Sequence, residues 1–547
     1  MLTLKGKSVF RGIAIGSLAL FYRHAVATAP RTVTDSGAEI ARFRAARQAS
    51  LVQLQELYDK ALEKVGEEQA AVFEVHQMML DDDEYIEAVE TKIRDGNLNA
   101  EAAVDRAAQE FAALFRNMDD DYMKARAADV LDISHRVLVK LCGGQAIDYG
   151  QYDGVILAAD DLAPSETLQL DTDKILGFVT SGGSTNSHTA ILARTLGIAA
   201  VVGTGTQLPN DVDGHTAIID GTTGMVYLDP DETTLARLQA AKMSLDAQQA
   251  ALEEVRGLPS VTRDGRRIHV YANIGSPDDL PQAQAHDAEG IGLFRSEFLY
   301  LGKNDYPTEE EQFQAYKRTA EALDGKLAVI RTLDIGADKK VDYFGLHDEE
   351  NPALGLRAIR LCLTRPVLFK TQLRALCRAS AFGNLAVMFP MIISVAEVRR
   401  CKALLAEVRH ELDAEGQAYD PDMAVGIMIE TPAAAILSDE LAKEVDFFSI
   451  GSNDLTQYTL AIDRQQTQLD DFFDPHHPAV LRLLAQTIAN GHKAGIWVGI
   501  CGELGADLSL TETFLRMGVD ELSVSPPSIL PLRAKIRSLD LSQGCRK

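Results

Sequence analysis

From Thr34 to Leu141 apolar residues recur at helical spacing in a text rich in Ala, Glu, Gln, Leu and Arg: Leu51, Leu54, Tyr58 and Leu62, then Phe73, His76 and Leu80. No proline falls between 31 and 163, and Asp95-Gly96-Asn97 reads as a helix end, so the block predicts four packed helices arranged as two hairpins. Strand-like stretches flank it, Ser8 to Phe21 before and Gly154 to Ala158, Ile175 to Val179, Ala199 to Val202, Ala217 to Ile219 and Met225 to Tyr227 after. The helices therefore interrupt an α/β domain. Asp231 to Arg256 has helical composition and stops at Gly257-Leu258-Pro259, which predicts a helical linker. Beyond it, eight β-type segments alternate with longer helical stretches: His269 to Ile274, Gly290 to Arg295, Leu327 to Asp334, Leu385 to Met391, Met423 to Glu430, Val445 to Ser452, Trp497 to Cys501 and Glu521 to Ser525. Eight strands in about 260 residues is the arithmetic of a (β/α)8 barrel. An open doubly wound sheet also alternates strand and helix. The predicted organisation is a discontinuous α/β domain over 1–28 and 145–230, a helical domain over 29–144, a linker over 231–260 and the barrel over 261–547.

Active groups in such a barrel come from the C-terminal strand ends and the loops that follow. Here the apolar strand text gives way to a polar or reactive residue at Asn273, Arg295, Arg331, Glu430, Asn453-Asp454 and Cys501. Arg295 and Arg331 both follow apolar runs and are expected to be buried cations that need anions, with Arg464 a third cation at the same mouth. Guanidinium groups bind phosphate and carboxylate through paired hydrogen bonds, so three of them point to a small, highly anionic substrate. Glu430 and Asp454 either pair with these arginines or hold Mg²⁺, which commonly uses one or two carboxylates plus substrate oxygens. Cys501 is either a small buried side chain or, among charged groups, an acid or nucleophile.

A second reactive element is the loop Ser181-Gly-Gly-Ser-Thr-Asn-Ser-His188, which runs into a helix whose apolar face is Ile191, Leu192 and Leu196. His188 then sits at a helix N-terminus, where the dipole disfavours imidazolium and favours an attached anion. It either caps that helix or carries a phosphoryl group.

Bulk composition narrows the partners. Lys plus Arg total 54 against 80 Asp plus Glu, a net charge of −26, and so acidic a surface repels nucleic acid and anionic lipid alike while suiting a basic protein partner. Six cysteines without a CxxC pair predict free thiols in a reducing compartment, hence a cytoplasmic enzyme. Lys5, Lys7 and Arg11 precede the apolar stretch Ile13 to Tyr22 in imitation of a secretory signal, but Gly16, Ser17, Arg23 and His24 interrupt that pattern. A β-strand is the better reading, and no membrane insertion is expected.

The stretches GGSTNSHTAILAR, GIGLFRSEFLY, RTLDIGADK, NPALGLRAIR, GIMIETPAA, GSNDLTQYTLAIDR and GICGELG together resemble the Enzyme I family of the bacterial phosphotransferase system, the phosphoenolpyruvate-protein phosphotransferases, from near Lys5 to about Arg533. The resemblance implies that His188 takes the phosphoryl group of phosphoenolpyruvate, releasing pyruvate, and passes it to a histidine of the carrier protein HPr in the first step of sugar uptake. It implies that Arg295, Arg331, Asn453, Asp454 and Arg464 bind substrate, that Glu430 and Asp454 hold Mg²⁺, and that Cys501 protonates the enolate carbon. The helical insert would dock HPr through an acidic rim, Glu67, Glu68 and the run Asp81-Asp82-Asp83-Glu84, beside Phe73, Met78, Met79 and Leu80. A homodimer through the barrel halves and a swivel of the His188 domain about the linker are further implications. Asn186, interposed before Ser187-His188, departs from the family pattern, as do Ala337 and Leu356. Two relatives of this reading are a nitrogen-branch regulatory phosphotransferase, whose N-terminal sensory domain has no counterpart here, and a pyruvate phosphate dikinase-like enzyme, which needs a nucleotide-binding domain of several hundred residues.

Overall fold

Two units divide the chain, Met1–Gln248 and Gln249–Lys547. The structure, a computed structural model, describes residues 1–21, 28–65, 67–117, 121–143, 153–160, 162, 166, 170, 174–183, 189–190, 193–194, 197–206, 208, 210–301, 303–336, 341–346, 349–464 and 466–542. Within the first unit, β1 (Leu2–Lys5), β2 (Lys7–Phe10), β3 (Ile13–Leu20), β4 (Val155–Ala159), β5 (Ile175–Thr180), β6 (Ala199–Val202), β7 (Thr216–Asp220) and β8 (Met225–Leu228) form one sheet. Its order is β1-β8-β7-β3-β4-β5-β6-β2, parallel from β3 to β6 and antiparallel elsewhere. Successive strand residues face opposite sides, so Ile156 joins Leu18, Val179 and Ile219 in one apolar layer while Leu157 joins Phe178 and Ala200 in another. The signal-like stretch is β3, in the middle of this sheet.

Among its described residues the helical block contains α1 (Ser36–Val65), α2 (Glu67–Leu80), α3 (Asp83–Arg94), α4 (Ala100–Arg116) and α5 (Asp121–Leu141), five segments where four were expected. The extra break is made by Asp82, whose Oδ1 accepts the N–H groups of Glu84 and Tyr85 at 3.0 Å each and so caps α3. A side-chain acceptor there satisfies N–H groups that no earlier turn can reach. Leu54, Phe73 and Leu80 enter the bundle core with Phe43, Val89, Ile93, Val104 and Val137, whereas Leu62 is exposed. The expected apolar docking centre is thereby corrected: Phe73 and Leu80 are buried, and of that group Met78 is the exposed one. His76 is also fully buried, with Nε2 3.3 Å from Asp129 and Nδ1 3.8 Å from Asp132. After β8 comes α6 (Glu232–Glu253), of which Leu238 is buried.

The second unit is a closed parallel barrel of β9 (His269–Ile274), β10 (Ile291–Arg295), β11 (Ala328–Arg331), β12 (Leu385–Phe389), β13 (Ala424–Ile429), β14 (Phe447–Ile450), β15 (Trp497–Ile500) and β16 (Glu521–Val524). Each lies inside the segment its hydrophobic run predicts, and β16 pairs with β9 to close the ring. The open doubly wound alternative is thereby excluded. Ser394 and Glu397 form a capping box at the start of helix Val395–Glu415, and Gly416 ends it at φ 68°, a conformation that costs glycine nothing. Leu293, Val329, Met388, Met428, Phe447 and Cys501 fill the barrel interior, with Trp497 stacked on Phe447 at 4.4 Å. Lower in the barrel, Glu521 is buried with neither carboxylate oxygen hydrogen-bonded, and its burial drives its pKa well above the usual carboxylate value. A Cβ at Gly499 would come within 2.5 Å of Glu521 Oε2, so that position has room for glycine alone.

Candidate functional site

Strand ends on one rim of the barrel open into a cavity of about 540 Å³ lined by Arg295, Arg331, Glu430, Asn453, Asp454, Arg464 and Cys501. Seven of the eight barrel residues singled out in the sequence therefore surround one opening, Asn273 being the exception. Four of them get there by the same device: an apolar strand delivers its last residue, or the first of the following loop, to the rim. Arg295 and Arg331 end β10 and β11, Glu430 follows β13, and Cys501 follows β15. Asn453 and Asp454 open the helix Ser452–Leu460 after β14. Burial differs among them. Arg331 is 6% exposed, but Arg295 is exposed, which corrects the expectation of two buried cations: at the last position of its strand the Arg295 side chain reaches past the apolar layer to solvent.

Arg331 is held between carboxylates, Nη2 2.6 Å from Glu297 and Nη1 2.9 Å from Asp334. The other oxygen of Asp334 lies 2.9 Å from Arg357 Nη2. Burial opposes the charge on Arg331, yet Asp334, Glu297, Glu430 and Asp454 outweigh it and hold its pKa above the ordinary guanidinium value; Asp334 does the same for Arg357. Glu297, Asp334 and Arg357 also line the cavity, and none was singled out from sequence. Asp334 lies three residues past Arg331 in RTLD, a spacing that could have betrayed it, while Arg357 arrives from the distant NPALGLR stretch.

Two carboxyl groups remain. Glu430 accepts a hydrogen bond from the Met391 N–H at 2.6 Å, and Asp454 stands 3.7 Å from Arg464 Nη2. Burial, then the charges of Asp454 and Asp334, raise the Glu430 pKa to about 8. Asp454 Oδ1 is buried without a hydrogen-bond partner. An orphaned carboxylate oxygen beside a carboxyl driven toward its neutral form is a donor set short of positive charge, and a hard divalent cation fits it. Among the described residues no three His, Cys, Asp or Glu side chains form a metal cage by themselves, so further oxygens would come from a substrate or water.

The Cys501 thiol sits in the barrel interior, its N–H donating to the Ile450 carbonyl at 3.0 Å. Burial first, then Glu521 and Glu430, push its pKa up to about 12, so near neutrality it carries a proton to give rather than a thiolate. Asn453 Oδ1 accepts the Glu503 N–H at 3.0 Å, which ties the loop after β14 to the loop after β15.

Other predicted positions lie elsewhere. His188, Asn186, Ser187 and Ala337 fall outside the described residues. Glu67 and Glu68 fall at the start of α2, where side chains are not described. Asp82 and Glu84 are exposed around the α2–α3 break, where Asp82 acts as a cap and Asp81 pairs with Arg47 at 2.5 Å. Described cysteines are all free thiols, and among the described residues no helix is long and apolar enough to cross a membrane.

Comparison with known proteins agrees with this layout. The family described as PEP-utilising enzyme matches in three parts: its PEP-binding domain over residues 249–541, its N-terminal part over 5–126 and its mobile domain over 151–224. The phosphoenolpyruvate-protein phosphotransferase of Staphylococcus carnosus is 44% identical over 541 residues, covering 99% of this chain and 94% of its own. That of Geobacillus stearothermophilus is 44% identical, covering 100% and 94%, and that of Haemophilus influenzae 44%, covering 97% and 93%. Similarity of this degree along the whole length means that the chain belongs to the phosphoenolpyruvate-protein phosphotransferase family.

Proposed function

We propose that the chain transfers the phosphoryl group of phosphoenolpyruvate to its own His188, releasing pyruvate, and then passes it to a histidine of an HPr-type carrier as the first step of sugar uptake. The observation that carries this reading is the single cavity where Arg331, Glu430, Asn453, Asp454 and Cys501 converge. Arg295, Arg331 and Arg464 bind the substrate's phosphate and carboxylate with Asn453 and Asp454 beside them. Glu297 and Asp334 fix the Arg331 plane so that its fork is already oriented. Glu430 and Asp454 hold Mg²⁺, which when bound neutralises phosphate and enolate charge. As the phosphorus–oxygen bond of the substrate breaks, charge develops on the enolate, and the guanidinium groups stabilise it without reorganising. The Cys501 Sγ–H then protonates the methylene carbon on its side of the enolate, giving pyruvate.

His188 must reach the cavity and leave it again, with α6 as the proposed hinge. On this reading the α/β domain comprises 1–28 and 145–230, the carrier docks on 29–144 through Glu67, Glu68, Asp82 and Glu84, and 261–547 forms the substrate domain of a cytoplasmic homodimer. Incubation with radiolabelled phosphoenolpyruvate and Mg²⁺ tests it: acid-labile, base-stable label is expected on His188 and absent in His188→Ala. Label persisting in that variant refutes the assignment.

A further inference from the structure

One polar strand end, Asn273 near the end of β9, does not line the cavity, yet its amide is almost fully engaged. Nδ2 donates to the carbonyl oxygens of Cys501 and Ser523, both at 3.1 Å, and Oδ1 accepts from Ser523 Oγ at 2.6 Å. A side chain of β9 thus reaches across β16 to the end of β15. The β15–β16 ladder registers only Gly499 with Glu521 and Ile500 with Leu522, so the carbonyl of residue 501 lies past the paired stretch. Asn273 supplies the donor that a strand would otherwise provide.

Cys501 is consequently gripped on both sides. Its N–H is fixed to Ile450 on β14, its carbonyl to Asn273, and Gly502 after it abuts Ser452, where a Cβ would meet Oγ at 1.9 Å. These three restraints set the Cα–Cβ direction of residue 501, the pivot from which Sγ reaches to 3.6 Å from the Ile450 carbonyl in the barrel interior.

We propose that Asn273 is a positioning residue for the Cys501 thiol, aligning its proton with the substrate carbon. This rests on the reading of Cys501 as the acid of the reaction. In that step the Sγ–H bond breaks as a C–H bond forms at the methylene carbon, leaving a thiolate and pyruvate. A misplacement on the ångström scale slows such a transfer by about a hundredfold, while substrate binding through the arginines and carboxylates is untouched.

The test follows pyruvate formation by the full-length protein mixed with phosphoenolpyruvate and Mg²⁺, in water and in deuterium oxide. Asn273→Ala is expected to slow pyruvate formation roughly tenfold or more, to enlarge the solvent isotope effect and to leave half-saturation by phosphoenolpyruvate unchanged. Ser523→Ala, which removes only the anchor of Oδ1, should act in the same direction more weakly, and it decides the matter if Asn273→Ala fails to fold. Unchanged rates in both variants overturn the proposal, as does a slower rate matched by weaker substrate saturation with no change in isotope effect. A Cys501→Ala protein as fast as wild type would instead remove the underlying assignment of the acid, and this proposal with it.

Discussion

Titrating Mg²⁺ into the protein at different pH values probes the carboxylate pair most directly. Glu430 has a pKa near 8 because it is buried and faces Asp454 and Asp334. Near neutrality it therefore keeps a proton that an ordinary carboxyl has lost. A cation that binds between Glu430 and Asp454 must displace it. The expected outcome is proton release on binding near neutrality, and an affinity that falls by up to about tenfold, or roughly 1.4 kcal/mol, for each pH unit as the solution is made more acidic. Without the ion the sign reverses. The folded state keeps a proton that the unfolded chain loses near its ordinary value of 4.5, so stability declines as pH rises from there to about 8. Calorimetric titration in two buffers of different ionisation enthalpy counts the protons, and Glu430→Gln should abolish their release. Affinity independent of pH between 6 and 8, with no proton released, would refute this account of the pair.

Asp334→Asn should destabilise the barrel by about 3–5 kcal/mol, because it strips the shared anion from two buried guanidinium groups; urea unfolding followed by circular dichroism checks it. In the helical bundle His76→Ala removes the imidazole between buried Asp129 and Asp132 and should lower the melting temperature by several degrees, roughly 3 kcal/mol of stability; scanning calorimetry checks it. Asp82→Ala should cost about 1 kcal/mol through the lost cap while Asp82→Asn keeps it. If Asp82 also meets a basic carrier, both variants slow carrier phosphorylation and leave phosphorylation by phosphoenolpyruvate intact, as does charge reversal at Glu67 and Glu68.

The barrel was legible because each strand is a short apolar run that ends abruptly in a polar residue, and the same edges marked most of the cavity lining. Arg295 was misjudged on that very rule: an apolar run says the strand is buried, not that its last side chain is. Asp82 was read as one charge among four, since a cap depends on backbone direction rather than on composition. Phe73 and Leu80 looked like a docking centre because helical spacing marks a face without saying whether the core or a partner covers it. Arg357 lies in the NPALGLR stretch, but no strand end marks it, and its pairing with Asp334 spans 23 residues of sequence. His188 stands on its motif alone.

Asn453 spends its carbonyl oxygen on the Glu503 N–H, and what it has left to offer is a pair of hydrogens. At that corner the Asn453 amide can therefore donate to a ligand's lone pair, while a ligand's own N–H would turn to the carboxylates of the lining. A contact between two loops thus decides which end of this amide a ligand meets.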